Sequence, residues 1–453
     1  MKNSSFFFCL ILLLSTSGLA TAQRFSREVT FENPADSIKL DSLYKELSRR
    51  SRAEGKIDQK DILWAQIREL RAKGWQDIIP SKGFVTYEEA LQSGETKNIR
   101  KLTIDRYPEK TLPDLSQFSK LEELEIINSS VKNISRSRRS LRKIKTIAIY
   151  NSQVEEKLRL GKLRSLKKLE LAYNPSGFVP SNTSKTRKLR SISFKNQTLV
   201  GLKLNIKRNK KLEELIFENS DFEGKVKISE SKSVKWLNII RCELTEIPDF
   251  VFSFPNLVKL QLARNYIEHA PAQLAQLPNL ASLSFYENQL KTIDSAVFTL
   301  TKLEDVDLYH NQLTSLPENI GNLENLKIFY ASFNQLREVP ESVGKLSKLE
   351  QLYLHHNKLS YLPEGITGLQ HLKVLHLNNN YFTTFPQGVV ALKKLKEFKI
   401  SHNHLGSIPK ELIELPHIKT LFADENPLEE PFLKKELGVF QQMADSAKIN
   451  FRL

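Results

Sequence analysis

From Ile99 to its end the chain repeats one phrase, L-x-x-L-x-L-x-x-N-x-L, at steps of 22 or 23 residues. Fifteen copies begin at Ile99, Leu121, Ile144, Leu166, Leu189, Leu212, Val234, Leu257, Leu280, Leu303, Leu326, Leu349, Leu372, Leu395 and Ile418. A unit of this size has no room to bury its own apolar face and must lean on its neighbours, so a fixed period specifies a solenoid. The spacing inside L-x-x-L-x-L alternates with period two, the signature of a short strand. In the unit of Leu349 it turns Leu352 and Leu354 inward and Tyr353 and His355 outward. Successive strands then lie about 4.8 Å apart in a parallel sheet.

The ninth position of the phrase is Asn in nine units, from Asn174 to Asn426, and Tyr107, Ser129, Ser152, Gln197, Ser220 or Cys242 in the other six. Where the chain turns inward after its strand, backbone groups are cut off from water. An Asn amide offers both donors and acceptors to meet them. Cys242 therefore reads as a buried member of this ladder. A second phrase follows, P-x-x-I/L/V-x-x-L/F-x-x-L, with prolines at 248, 271, 317, 340, 363, 386 and 409 and Asp294 at the missing step. Proline at each outer turn predicts short helical or extended segments. Strands on one side and compact turns on the other curve the stack and make the strand side concave.

With both phrases in register, the chain resembles the leucine-rich-repeat superfamily, specifically the 23-residue class with an L-P step, and is similar to its bacterial secreted members. The resemblance covers about Ile99 to Leu428. It implies an α/β solenoid: a curved right-handed array with a parallel concave sheet that binds protein or glycan partners. Which partner is left open by the resemblance.

The ends differ from the array. Residues 1–22 read as a signal peptide: Lys2 supplies the positive end, Phe6 to Leu14 the apolar run, and Ala20-Thr21-Ala22 the cleavage site, after Ala22. That predicts an exported protein, periplasmic, at the cell surface or extracellular, with no transmembrane segment. Residues 23–95 are expected to form a helical N-terminal cap, with amphipathic helices over Ser37–Arg52 and Asp58–Lys73. Thr86 and Glu89 form a capping box before a helix over Tyr87 to Leu91. Residues 96–428 are the solenoid and 429–453 a C-terminal cap, its helix expected over Pro431 to Met443. Removing the leader leaves Cys242 as the one cysteine, so the fold relies on apolar burial rather than disulfides.

Register also identifies which side chains face the inner curve. From Leu280 onward these include Tyr286, Tyr309, His310, Tyr330, Phe333, Tyr353, His355, His356, His376 and His402, with Phe422 beyond them. Aromatics on a solvent-facing strand surface anchor interfaces; cross-strand packing of rings on a wide sheet is the plainer alternative. These ten residues are the candidate protein-binding face. Histidines there predict binding that changes near pH 6 to 7. His310, His356 and His402 recur in alternate units, about 10 Å apart, too far to share a metal ion, and no resident metal or cofactor is expected.

Charge is lopsided. Residues 91–240 carry 33 Lys and Arg against 16 Asp and Glu, whereas residues 241–453 carry 21 against 24. Two places before the first apolar position stand Arg142, Arg164, Arg187, Lys210 and Lys232, in five consecutive units. Stacking lines them into a basic column that suits an anionic glycan or envelope surface; a solvated, solubilising edge accounts for it equally well. Nucleic acid is disfavoured because no nucleic-acid-binding motif accompanies the charge. Neither H-E-x-x-H, nor G-x-S-x-G, nor a glycine-rich phosphate loop occurs. The sequence thus predicts a non-enzymatic, exported binding protein that docks a protein partner on its concave face. Oligomeric state is not encoded in any feature we recognise.

Overall fold

The computed structural model describes residues 80–453, except 110–111, 134–139, 160–162, 175–182, 200, 223–225, 431 and 433–435, together with isolated positions 39, 42, 43, 46 and 66. The leader lies outside this description, as do the two helices expected between Ser37 and Lys73 apart from those isolated positions, each of which is helical. Within it, seventeen strands form a single parallel sheet in chain order, from Val85–Thr86 to Asn450–Arg452. Each of the fifteen phrases supplies one strand, and the register never slips: Phe329 lies opposite Leu352, and Leu352 opposite Leu375. The curved leucine-rich-repeat array expected from the period is the architecture of the molecule.

One unit explains the rest. Leu349, Leu352, Leu354, Leu359, Ile366 and Leu369 are fully or almost fully buried between two neighbours. Truncating Leu352 to Ala removes contacts on both sides and costs about 2–5 kcal/mol. Each register proline is the N-cap of a short 3-10 turn, as Pro363 is for Glu364–Gly368, where Ile366 N donates to Pro363 O at 3.1 Å. Its missing N–H is not needed there. Asp294 achieves the same start differently, its carboxylate accepting from Ala296 N at 2.9 Å. These turns stack so closely that a side chain on Gly344 would strike the backbone of Gly365.

The Asn ladder is the polar spine. Asn311 Nδ2 donates to Phe285 O at 2.9 Å and Leu308 O at 3.0 Å, and its Oδ1 accepts from Leu290 N at 2.9 Å. One amide thereby joins its own unit to the one before. Where Ser129 or Ser220 replaces it, the hydroxyl donates chiefly to its own strand, to Ile127 O or Glu218 O. Cys242 occupies its expected place, buried, with Sγ facing Ile240 O at 3.3 Å and Phe217 O at 3.5 Å. Burial pushes its thiol far above the ordinary range.

One recurrent feature was not anticipated. The eighth residue of every unit, from Arg106 to Glu425, is left-handed, with φ between 43° and 60°. For a residue with a Cβ this costs roughly 1–2 kcal/mol. Asn at 128, 151, 196, 219 and 379 fits that conformation readily, whereas the bulky Phe333 does not.

The two ends close the sheet. Thr86 and Glu89 form the expected capping box ahead of a helix over Tyr87–Gln92. Just before it, Ser81 lies over the concave side of the first strands, where its N–H and hydroxyl donate to the buried Glu125, which also accepts from Thr103 Oγ1. At the other end the helix covers Leu437–Ala447, further along than Pro431 to Met443, and Asn450–Arg452 adds a strand the sequence did not announce. Phe432 and Phe440 are buried beneath it, while Leu437 is only half-buried.

Candidate functional site

The strands from Ser282–Ser284 to Val374–His376 carry an almost unbroken layer of rings on the inner curve. Tyr286 stacks on Tyr309 at 5.3 Å between centroids, Tyr309 meets Phe333 at 5.0 Å, and Phe333 stacks on His356 at 4.0 Å. A second line, two residues earlier in the unit than Tyr309, stacks Tyr330 on Tyr353 at 4.7 Å and sets His376 edge-on against Tyr353 at 4.9 Å. His355 links the two, 6.1 Å from Tyr309 and 5.8 Å from His376. His310 stacks on Phe333 at 5.8 Å. Nine of the ten side chains singled out in the sequence therefore form one connected cluster. His402 remains outside it, exposed and without a ring contact among the described residues. Phe422 is also separate, flanked by Lys399 at 5.5 Å and Arg452 at 4.6 Å.

The rings pack on one another as well as facing solvent, so each contact adds about 0.5–1.5 kcal/mol of its own. Apart from the exposed His310, all nine are only half-buried. The sheet face holds their inner flanks and leaves their outer edges open.

Burial reverses the expected role of the histidines. His355, hydrogen-bonded through Nδ1 to Ser332 Oγ at 2.8 Å, is held down at about 3 by desolvation, with His376 and His356 adding to the effect. His376 is also lowered by burial, partly offset by Glu397 at 2.8 Å, and His356 likewise. Burial thus keeps His355 neutral through pH 6 to 7 and lowers His356 and His376, which runs against a histidine-driven change at these three rings.

A carboxylate titrates there instead. Asp307, third residue of the strand Asp305–Asp307, is pushed up to about 6 by burial, although Tyr309 N at 3.0 Å and Ser284 Oγ at 3.1 Å donate to it. Asp305 is raised by the same cause, and its Oδ1 is buried without a hydrogen-bond partner. Lys259 acts on Asp305 as a cation, while the largest influences on Asp307 are burial, its two hydrogen bonds and the charges of Asp305 and Glu287. Nearby Glu287 is already paired with Arg264 at 2.9 Å. Tyr330 and Tyr309 border these acids. In the sequence Asp307 is a strand carboxylate with no recognisable partner, and Asp305 carries no signal, because period two marks their direction but not their desolvation. Trp236, 41% exposed on the same sheet face, lies outside the stretch from Leu280 onward in which the candidate rings cluster.

Among the described residues no three His, Cys, Asp or Glu side chains converge on a metal position.

The basic column lies at the edge where the strands begin. Arg142, Arg164, Arg187, Lys210 and Lys232 are all exposed, each in the tight turn leading into its strand. The turn at Arg164 is closed by Leu166 N donating to Leu163 O at 3.3 Å, and that at Lys210 by Leu212 N to Asn209 O at 2.9 Å. Lys143, Lys145, Ser165, Lys167, Lys188 and Glu122 line a shallow depression of about 280 Å³ beside the column.

Three stretches, residues 278–336, 332–382 and 370–428, match the family described as leucine rich repeat. Residues 278–428 thus read as leucine-rich repeats, and the array as a whole has the leucine-rich-repeat fold. Among solved structures, this solenoid is similar to a Leptospira interrogans leucine-rich-repeat protein, with 24% identity and a TM-score of 0.60 over 83% of this chain and 100% of that one. A TDR receptor matches with 22% identity and a TM-score of 0.53, over 76% of this chain and 62% of the receptor. Drosophila Toll in its complex with Spatzle matches with 17% identity and a TM-score of 0.52, over 73% of this chain and 48% of the other. At these identities the likeness is one of fold. None of the curated proteins matches this leucine-rich-repeat chain.

Proposed function

We propose that this solenoid is a non-catalytic binding protein whose concave face, from Tyr286 to His376, docks a protein partner. The observation that carries the reading is the connected nine-ring cluster, eight of its rings half-buried on the sheet and one exposed. Such rings are rigid, lose little entropy on contact, and supply the large apolar areas that dominate interfaces. Asp305 and Asp307, both desolvated, favour a partner that inserts a basic side chain beside the tyrosines. Toll bound to Spatzle is a protein complex built on the same fold.

The leader-like residues 1–22 support an exported location, and among the described residues no helix is long and apolar enough to cross a membrane. The test is capture of proteins from the cell envelope and from the surfaces the cell meets. Tyr309→Ala, Tyr330→Ala and Tyr353→Ala combined should abolish a discrete captured species while leaving the far-ultraviolet dichroism of the array intact. Unchanged capture by this folded variant overturns the reading.

A further inference from the structure

In five consecutive units the turn before the strand carries Arg142, Arg164, Arg187, Lys210 and Lys232, all exposed, and none has an acidic partner within ion-pair distance among the described residues. Repetition alone does not explain them. In the eight later units the same position holds Pro255, Pro278, Thr301, Glu324, Ser347, Gln370, Lys393 and Pro416, a cation in only one. There the edge is stitched by neutral ladders instead, as where Asn256 Nδ2 donates to Lys232 O at 2.8 Å and Asn325 Nδ2 to Thr301 O at 2.8 Å. Lysines there are taken up within the fold, Lys327 by Glu304 at 2.8 Å, Lys373 by Glu350 at 2.7 Å, and Lys302 and Lys348 by the amides of Asn279 and Asn325 at 2.6 and 2.7 Å. This edge closes with a cation at the column's position in only one unit of eight, so folding does not demand the column.

Strand pairing sets the charges one parallel-sheet step apart, about 5 Å, along a track of about 20 Å. Beside the track, Lys143, Lys167 and Lys188 crowd the 280 Å³ depression, where the one carboxylate, Glu122, is taken up by Lys145 at 2.8 Å and Arg100 at 3.6 Å. Lys143 and Lys188 face solvent and form no ion pair among the described residues, and Lys167 only borders Glu122.

We infer that this edge binds a linear anionic polysaccharide, laid across successive units so that its sulfate, phosphate or carboxylate groups meet the column in step. Polysaccharide is favoured over nucleic acid because the turns bearing the column carry no aromatic platform on which bases would stack. The surface is separate from the concave rings, so its failure leaves the protein-docking reading untouched.

The test uses the full chain with a heparin-derived decasaccharide, an uncharged dextran fragment of equal length and a single-stranded oligonucleotide of equal charge. The decasaccharide should bind, with affinity falling at least about tenfold between 0.1 and 0.4 M salt as condensed counter-ions cease to be released; dextran should not bind. Reversing the column (R142E, R164E, R187E, K210E and K232E) should abolish binding with an unchanged dichroism spectrum. A milder set with Gln at the same positions should weaken it at least about tenfold and guards against misfolding. Five reversals on the other half (K302E, K345E, K393E, K394E and K410E) should change affinity less than about threefold, and the tyrosine triple variant not at all. Equal losses in both reversed sets would reduce the effect to net charge and overturn the inference. Tighter binding of the oligonucleotide, or no binding of the decasaccharide, would also overturn it.

Discussion

The repeats before and after Arg241 solve one folding problem in two ways. Before it, the sheet strands are five residues long, as in Thr146–Tyr150 and Ser191–Lys195; after it they shrink to three, as in Gln351–Tyr353. The early units hold Ser at three ladder positions, 129, 152 and 220, and pair much of their polar inner face internally, although Ser193 Oγ is buried there without a hydrogen-bond partner. Tyr150 Oη donates to Glu170 at 3.0 Å, and Lys168 and Lys195 hold the same carboxylate at 2.7 and 3.3 Å. The late units use Asn and proline-led turns, and cover the inner face with rings and two desolvated aspartates. Register fixes the backbone in both halves, so the inner face and the edge are free to specialise. One half offers an open aromatic surface and the other an unpaired basic edge.

Breaking the scaffold should hurt the regular half most. Leu352→Ala should lower stability by about 2–5 kcal/mol in urea denaturation, because both neighbouring units lose contacts. Asn311→Ala strands Leu290 N and removes one of the two amide donors to each of Phe285 O and Leu308 O, and should cost about 2–3 kcal/mol, against about 1 kcal/mol for Ser129→Ala, which leaves only the half-buried Tyr107 N without its acceptor. Equal costs would mean that the two ladders are not the different devices described above.

The fifth position of the unit sharpens the contrast, since Glu125 and Asp307 both occupy it. Glu125→Ala leaves Ser81 and Thr103 without their acceptor and should destabilise the N-terminal end by about 1–3 kcal/mol. Asp307 should behave in the opposite way. Its folded value of about 6 lies above the ordinary 3.8, so the native state loses stability as pH rises through that window. Asp307→Asn should therefore be more stable than the parent at pH 8, by on the order of 2–3 kcal/mol, with the gain gone near pH 3.5. A variant less stable at pH 8 would contradict this.

The smallest expected effect concerns the histidines. His355, lowered to about 3, contributes stability that is present above about 6.5 and lost as pH falls toward 3. Its ring resonances should not shift between pH 5.5 and 8; a midpoint inside that range would show that the cluster is wetter than its geometry implies. A partner that inserts a basic side chain should instead bind more weakly as pH drops below about 6, because Asp307 loses its charge.

Much of this was legible in residue order. A period of 22 or 23 gave the solenoid, period two gave the facing of Tyr309 and Tyr353, and the ninth position gave the polar spine with Cys242 in it. Other features depend on quantities that spacing does not carry. The left-handed eighth residue is a backbone state, visible in hindsight in the recurrent Asn128, Asn151, Asn196 and Asn219. The neutrality of His355 and the raised Asp307 come from desolvation by neighbouring units. His402 fell outside the cluster because position two units on does not guarantee contact: Phe333 bridges His310 to His356, but His402 has no such ring before it.

The most direct test replaces Tyr330 with a photo-crosslinking phenylalanine analogue in the producing cell, with Tyr361, exposed beyond the strand ends, as the control position. Irradiation should join position 330 to one discrete protein species and position 361 to none. Crosslinks of equal yield from both positions, or from 361 alone, would contradict the concave face as the docking surface.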